Sequence, residues 1–234
     1  METKQQLVVV TGAAGSLGRA VAQHFIQAGA RLILVDLDQK MLMRAFEGAS
    51  EEHERVAADL TDAAQVEAAL SAVLQRLGEV DVLCNIAGGF SMGPGVHETP
   101  DASWRHLMDL NVATLINTCR VVVPGMIQAG RGKIINIAAA GAAKGGAGMG
   151  AYAASKSSVA RLTESMSMEL REFGINVNAV APSIIDTAPN RAAMPDVDPA
   201  RWVTTDALAR VVGFLSSSDA SAIHGAVLPV VGLS

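Results

Sequence analysis

Tyr152 and Lys156 stand four residues apart in the stretch AYAASK, and Tyr152 is the only tyrosine in the chain. Residues four apart on a helix share a face, so a phenol and an ammonium can meet at one site. A positive charge beside a phenol favours phenolate and moves it towards the range of general acid–base chemistry. The same pair also occurs on ordinary surface helices. A second group is the run TGAAGSLG, residues 11–18, directly after the apolar stretch LVVV at 7–10. Gly12 permits a tight bend, Gly15 lets backbone N–H groups approach a pyrophosphate, and Gly18 allows close packing of a helix on a strand. A helix opening at Ser16 and Leu17 would offer unpaired N–H groups and a positive dipole end. The spacing is G-x-x-G-x-x-G, not the more familiar G-x-G-x-x-G, and such a run also serves as a plain turn.

Further candidates fall at the ends of later apolar runs. Asp36-Leu37 closes the run 31–36, just over twenty residues beyond Gly12. An acid there accepts hydrogen bonds from ribose hydroxyls and repels a 2′-phosphate, which favours NAD(H); it also reads as a solvated strand end. Asp59-Leu60 follows the third run, where the acid either meets an adenine amino group or caps the turn before Thr61-Asp62 opens a helix. In CNIAGG (84–89), Asn85, Ala87 and Gly88 let the backbone pass close beside a ribose. Asn111 lies inside a helical pattern, where it bonds the backbone, faces solvent, or marks a break that frees a carbonyl to hold water. Pro124 should end or kink that helix.

The elements that must position these groups alternate from end to end. Strands are expected at 7–10, 31–36, 54–58, 80–85, 132–138, 175–181 and 226–231. Helices are expected at 16–28, 39–47, 62–77, 101–129, 150–173 and 204–216. This predicts one α/β domain over 1–234, a Rossmann-type doubly wound parallel sheet of about seven strands with helices on both faces. Half the residues are apolar and 3% aromatic, so aliphatic side chains build the core. Each apolar run is broken by charge or glycine before a membrane span is reached, and the first ten residues show no secretory leader. Cys84 and Cys119 read as reduced core thiols of a cytoplasmic protein. A net charge of −5 without a basic run argues against nucleic acid. The five histidines show neither metal nor triad spacing, so no metal site is expected.

Taken in order, TGAAGSLG, Asp59-Leu60, Asn85 to Gly88, Asn111, Tyr152-x-x-x-Lys156 and Pro182 to Thr187 resemble the short-chain dehydrogenase/reductase family across the chain. The resemblance implies an NAD(H)-dependent oxidoreductase. Tyr152 would donate or accept the proton, Lys156 would lower its pKa and bind the nicotinamide ribose, and Asn111 would hold a relay water. Pro182, Ile185 and Thr187 would line the nicotinamide end, with Thr187 on the carboxamide. It also implies a homodimer or homotetramer packed through 101–129 and 150–173. The family's usual serine, thirteen residues before the tyrosine, is Ala139 here, the usual Pro-Gly is Pro182-Ser183, and the segment after Thr187 is too short for a large lid. Dihydropteridine reductases lack that serine too, and 80–89, 148–156 and 185–202 resemble theirs. The expected substrate is therefore a small carbonyl or alcohol, or a conjugated C=N. The alternative is a catalytically silent NAD(H) sensor.

Overall fold

The apolar, β-branched runs line up as parallel strands in the computed structural model, which describes residues 5–234. The first four residues, on which the leader reading partly rests, lie outside it. The elements are β1 (Leu7–Thr11), α1 (Ser16–Gln27), β2 (Arg31–Asp36), α2 (Gln39–Ala45), β3 (Glu54–Ala57), α3 (Ala63–Leu77), β4 (Val82–Asn85), α4 (Asp101–Met108) and α5 (Thr114–Ala129). They continue with β5 (Gly132–Ile137), α6 (Gly150–Leu170), β6 (Ile175–Pro182), β7 (Ile185–Asp186), α7 (Ala188–Ala193), β8 (Val203–Thr204), α8 (Thr205–Ser216) and β9 (Val227–Val230). The seven-stranded sheet has the order β3-β2-β1-β4-β5-β6-β9, and all its pairs are parallel. From β1 the chain winds outward to β3, then returns to place β4 on the other side of β1. The connections leaving β1 and β4 therefore run to opposite sides and open a crevice beyond the strand ends.

Both faces of the sheet are covered, which is why its strands are apolar throughout. Val9 points to a core built with Leu70, Leu115, Val122, Met126 and Val159 from α3, α5 and α6. Val8 and Val10 point to the opposite core, with Val21 and Phe25 of α1, Leu42 of α2 and Leu208 and Val212 of α8. Side-chain caps start the helices where the sequence offers them: Asp38 accepts from the Lys40 and Met41 amides, and Asp62 from those of Ala64 and Gln65.

Four expectations change. The helix over 101–129 is not uniform: residues 109–113 form a π-turn between α4 and α5, with the Thr114 N–H reaching back to the Asp109 carbonyl. Nor does Pro124 end α5, which runs on to Ala129 and stops at Gly130 in the left-handed region. The cost of its missing N–H is outweighed by the buried face of Leu115, Cys119, Val122 and Met126. By length and composition this helical stretch also matches a membrane span, contrary to the sequence reading. Half of its most apolar window is buried within the fold, where it forms part of the core. Finally, residues 185–204 hold α7 and the two-stranded β7–β8 ribbon, elements too short for periodicity to reveal.

At the sheet edge, the Ala226 and Val230 carbonyls of the β9 segment accept from Ala179 and Ser183 on the β6 side. Strand alternation then turns Pro229 towards the open side.

Candidate active site

The crevice at the ends of β1 and β4 is held open by one hydroxyl. Thr11 Oγ1 accepts from the Ile86 and Ala87 amides at 3.0 and 3.1 Å and donates to the Cys84 carbonyl, fixing the two strand ends together. Gly12 has φ +61°, and a Cβ on it would lie 2.9 Å from Ala87 Cα. Gly18 lies so close to the Gly12 carbonyl that any Cβ would collide with it. α1 starts at Ser16 with Gly15 at its cap position, and among the described residues no side chain caps it. The result is a backbone cradle with free helix-end dipoles, the chemistry an anionic pyrophosphate needs.

A cleft of about 420 Å³ runs from this cradle across the ends of β1, β2 and β4. Of the residues singled out in the sequence, Gly12, Gly15, Ser16, Leu17, Gly18, Asp36, Leu37, Asp59, Leu60, Ala87 and Gly88 line it. Met41, Ala58, Thr61, Ile86, Leu110 and Thr114 line it too. Nothing in their types or spacing marks them; only the fold brings them there. Asp36 braces the cradle, one oxygen accepting from the Ala14 amide at 2.9 Å and the other from Leu37 at 2.8 Å. Asp59 caps its own turn through the Thr61 amide and hydroxyl while standing in the cleft wall. Asn85 turns its side chain away from the cleft. Its side chain is buried, donating to Asn136 Oδ1 at 2.9 Å and to Cys119 Sγ, and does not line the cleft.

Gly88 joins the cleft to the Tyr–Lys pair: a Cβ there would lie 2.7 Å from Asn111 Oδ1 and 3.1 Å from Lys156 Nζ. The Asn111 amide clamps the next residue, accepting from Gly89 N–H at 2.9 Å and donating to its carbonyl at 3.1 Å. It also donates to Ser155 Oγ, which in turn donates to the Tyr152 carbonyl. Ser155, which sequence reasoning missed, thus ties the π-turn to the first turns of α6. Lys156 is buried, and its Nζ donates to the Ile137 carbonyl at 2.8 Å. Burial pushes it down to about 8. The ring of Tyr152 packs edge-on against Phe90, with centroids 4.8 Å apart and planes at 83°.

The direction at Tyr152 corrects the sequence expectation, because burial pushes the phenol up from its ordinary value. A lysine that titrates near 8 is largely neutral by the pH at which a phenol ionises, so its help is withdrawn. Phenolate absorbance after a rapid pH jump should therefore show a midpoint above the reference of about 10 for the protein alone. Adding NAD⁺, whose ring carries a positive charge, should lower it by at least about one pH unit, equivalent to ~1.4 kcal/mol. A midpoint below the reference without NAD⁺, or one unmoved by it, would contradict this.

Other expected residues are placed as follows. Pro182 ends β6 at the same sheet edge as the cradle, and Ile185 begins β7. Thr187 caps α7 by accepting from the Asn190 amide. Ala139 follows β5, and residues 138–143 carry no hydroxyl. Both cysteines are free and buried; burial raises both thiols, that of Cys119 to about 12, so they are unreactive packing groups. Among the described residues no group of three His, Cys, Asp or Glu is arranged to hold a metal ion.

The doubly wound sheet, the uncapped glycine cradle and the buried Tyr–Lys cluster together define a dinucleotide-dependent oxidoreductase scaffold. A model of the short chain dehydrogenase family matches residues 6–198, and the chain belongs to that family, whose members use nicotinamide cofactors. It is 33% identical to the 2-(R)-hydroxypropyl-CoM dehydrogenase of Xanthobacter autotrophicus, over 97% of each chain. It is 30% identical to a 3-oxoacyl-[acyl-carrier-protein] reductase of Thermotoga maritima, over 99% of this chain and 98% of that one. Among solved structures, levodione reductase superposes with a TM-score of 0.88 at 30% identity, covering 97% of this chain and 96% of that one. The NADH complex of the Brucella melitensis 3-ketoacyl-(acyl-carrier-protein) reductase superposes with a TM-score of 0.86 at 27% identity, over 97% of each.

Proposed function

We propose that the chain is an NAD(H)-linked reductase of an uncharged, conjugated C=N or C=O compound, with Tyr152 handling the proton. The observation that carries this reading is half-buried Tyr152 joined through buried Ser155 to Asn111, with buried Lys156 and Asn111 meeting the cleft at Gly88. Bound in the cleft, the nicotinamide dinucleotide supplies or accepts the hydride. The cradle at Gly12 to Gly18 holds its pyrophosphate, Asp36 takes the ribose hydroxyls and disfavours a 2′-phosphate, and Asp59-Leu60 flank the adenine.

Tyr152 gives its proton to the nitrogen or oxygen of the reacting double bond. Lys156, charged below about pH 8, stabilises the phenolate left behind. Both N–H groups of the Asn111 amide are taken by the Gly89 carbonyl and Ser155 Oγ, so a relay water there would donate rather than accept, to Asn111 Oδ1 or to a carbonyl of the π-turn. The alanine wall at 138–140 offers no oxyanion donor, a loss worth about 3 kcal/mol for a simple ketone. A conjugated acceptor delocalises the developing charge and needs that donor less. Exposed Phe90, Met92 and Val96 near Tyr152 suit a substrate without formal charge. The two buried free thiols support a cytoplasmic site, and exposed Met168 and Phe173 at the end of α6 support a homo-oligomer.

NADH oxidation with quinonoid dihydropterin and a panel of ketones tests the reading. Turnover of the conjugated acceptor, lost in Tyr152→Phe and not raised in Ala139→Ser, supports it. A hundredfold gain in Ala139→Ser on ketones would mark a weakened alcohol dehydrogenase instead. Tight NADH binding with no turnover of any acceptor would favour the second reading, a silent NAD(H) sensor, which the missing serine motivates.

A further inference from the structure

Residues 185–202 leave the sheet after β6 and return to β8, forming a small flap at the edge that carries the cradle. Inside the flap, Arg191 grips Asp186 through two hydrogen bonds of 2.6 and 2.7 Å, and Asn190 Nδ2 donates to the Ile185 carbonyl. The first half of the flap is therefore internally tied. Both ends are held by the same four residues, 231–234.

At the first end, Ser183 Oγ donates to the Val231 carbonyl at 2.8 Å and lies 2.7 Å from Ser234 Oγ. Its amide donates to the Val230 carbonyl at 3.1 Å. At the second end, Arg201 Nη2 donates to the Leu233 carbonyl at 2.7 Å, and the Leu233 amide donates back to the Arg201 carbonyl at 2.9 Å. Gly232 makes the approach possible: its φ is +59°, and a Cβ would lie 3.0 Å from the Arg201 carbonyl and 3.4 Å from the Trp202 backbone. Trp202 is buried at this junction, and among the described residues its indole N–H has no acceptor. Of these contacts, the hydroxyl of Ser183 is the one a glycine at 183 could not make.

We infer that Ser183 and Arg201 are positioning residues, through which residues 231–234 latch the flap against the nicotinamide end of the cleft. That Pro182, Ile185 and Thr187 meet the nicotinamide is what the family resemblance implies, so the latch rests on the cofactor reading proposed above and acts on that site through them. Fixing both ends of a tied segment lowers the entropy lost when the cofactor orders it, so the latch contributes to cofactor affinity more than to the chemical step.

The test uses the full chain with Ser183→Gly, Ser183→Thr and Arg201→Gln. Amide hydrogen exchange over 187–198, and acrylamide quenching of Trp202 in a Trp104→Phe background, report the latch without turnover. NADH affinity, KM and kcat report its consequence. The expected result for Ser183→Gly and Arg201→Gln is at least tenfold faster exchange, greater quenching, and a five- to tenfold rise in NADH Kd and KM. Their kcat should stay within twofold, and Ser183→Thr, which keeps the hydroxyl, should restore wild-type values. Exchange and quenching equal to wild type overturn the latch. Faster exchange with unchanged NADH affinity overturns the positioning role. If the wild type binds no NADH, the proposed function falls, while exchange and quenching still decide whether the latch exists.

Discussion

Replacing Lys156 with methionine is expected to give a protein that melts higher at about pH 7 and turns over far more slowly. Burial moves this ammonium from 10.5 to about 8, so holding it charged costs the fold roughly 3 kcal/mol at ~1.4 kcal/mol per pH unit. Methionine fills similar space without the charge, though it leaves the Ile137 carbonyl unpaired, which returns about 1 kcal/mol. The net gain of ~2 kcal/mol raises Tm by about 4–8 °C for a chain of this size. The sign with pH follows from proton counting. Between about 8 and 10.5 the unfolded chain holds the proton and the native chain does not, so wild-type stability rises with pH. The advantage of the variant should therefore be full below about pH 8 and gone above the ordinary lysine value. Turnover should drop by about a thousandfold, within the range for loss of assisted proton transfer. Thermal unfolding at neutral and alkaline pH, beside an NADH oxidation assay, checks all three statements. A variant less stable than wild type at neutral pH would show that the lysine is retained for packing.

Asp36→Ala should change which dinucleotide binds. A carboxylate about 5 Å from a 2′-phosphate costs on the order of 3 kcal/mol per unit charge at an effective dielectric of ~20, so wild type should prefer NADH over NADPH by about a hundredfold or more. The substitution removes that repulsion. It also removes the bond from the Ala14 amide that stiffens the cradle. NADH should then bind about tenfold more weakly and NADPH more tightly, bringing the two affinities within roughly tenfold of each other. Calorimetric titration of both cofactors decides the matter, and equal binding by wild type would refute the role given to Asp36.

What the sequence discloses depends on how local each constraint is. The glycine turn, Asp36 and the Tyr–Lys pair are legible because each works through spacing within one βα unit or one helical turn. Asn111 was legible as an oddity but not as a clamp. Its partners, Gly89 and Ser155, stand 22 and 44 residues away, and only the fold brings them together. The inward turn of the Asn85 side chain was hidden for a related reason. Asn85 ends β4, where alternation can send a side chain to either face, and here it joins Asn136 in the interior. Met41 and Thr114 reach the cleft only because α2 and α5 are packed as they are. The bonds between Ser183 and the last residues span 48 and 51 positions, beyond any local pattern.

Pro229 also limits how molecules of this kind meet. An outer strand with free amides is a template on which a second sheet can continue, which is how many folded proteins begin to aggregate. In the outermost strand here the open side lacks an amide at its third residue, so a ladder extended across it would be interrupted there. Two copies brought together along this border would gain no main-chain bond at that position and would rely there on side chains such as Leu228 and Val231.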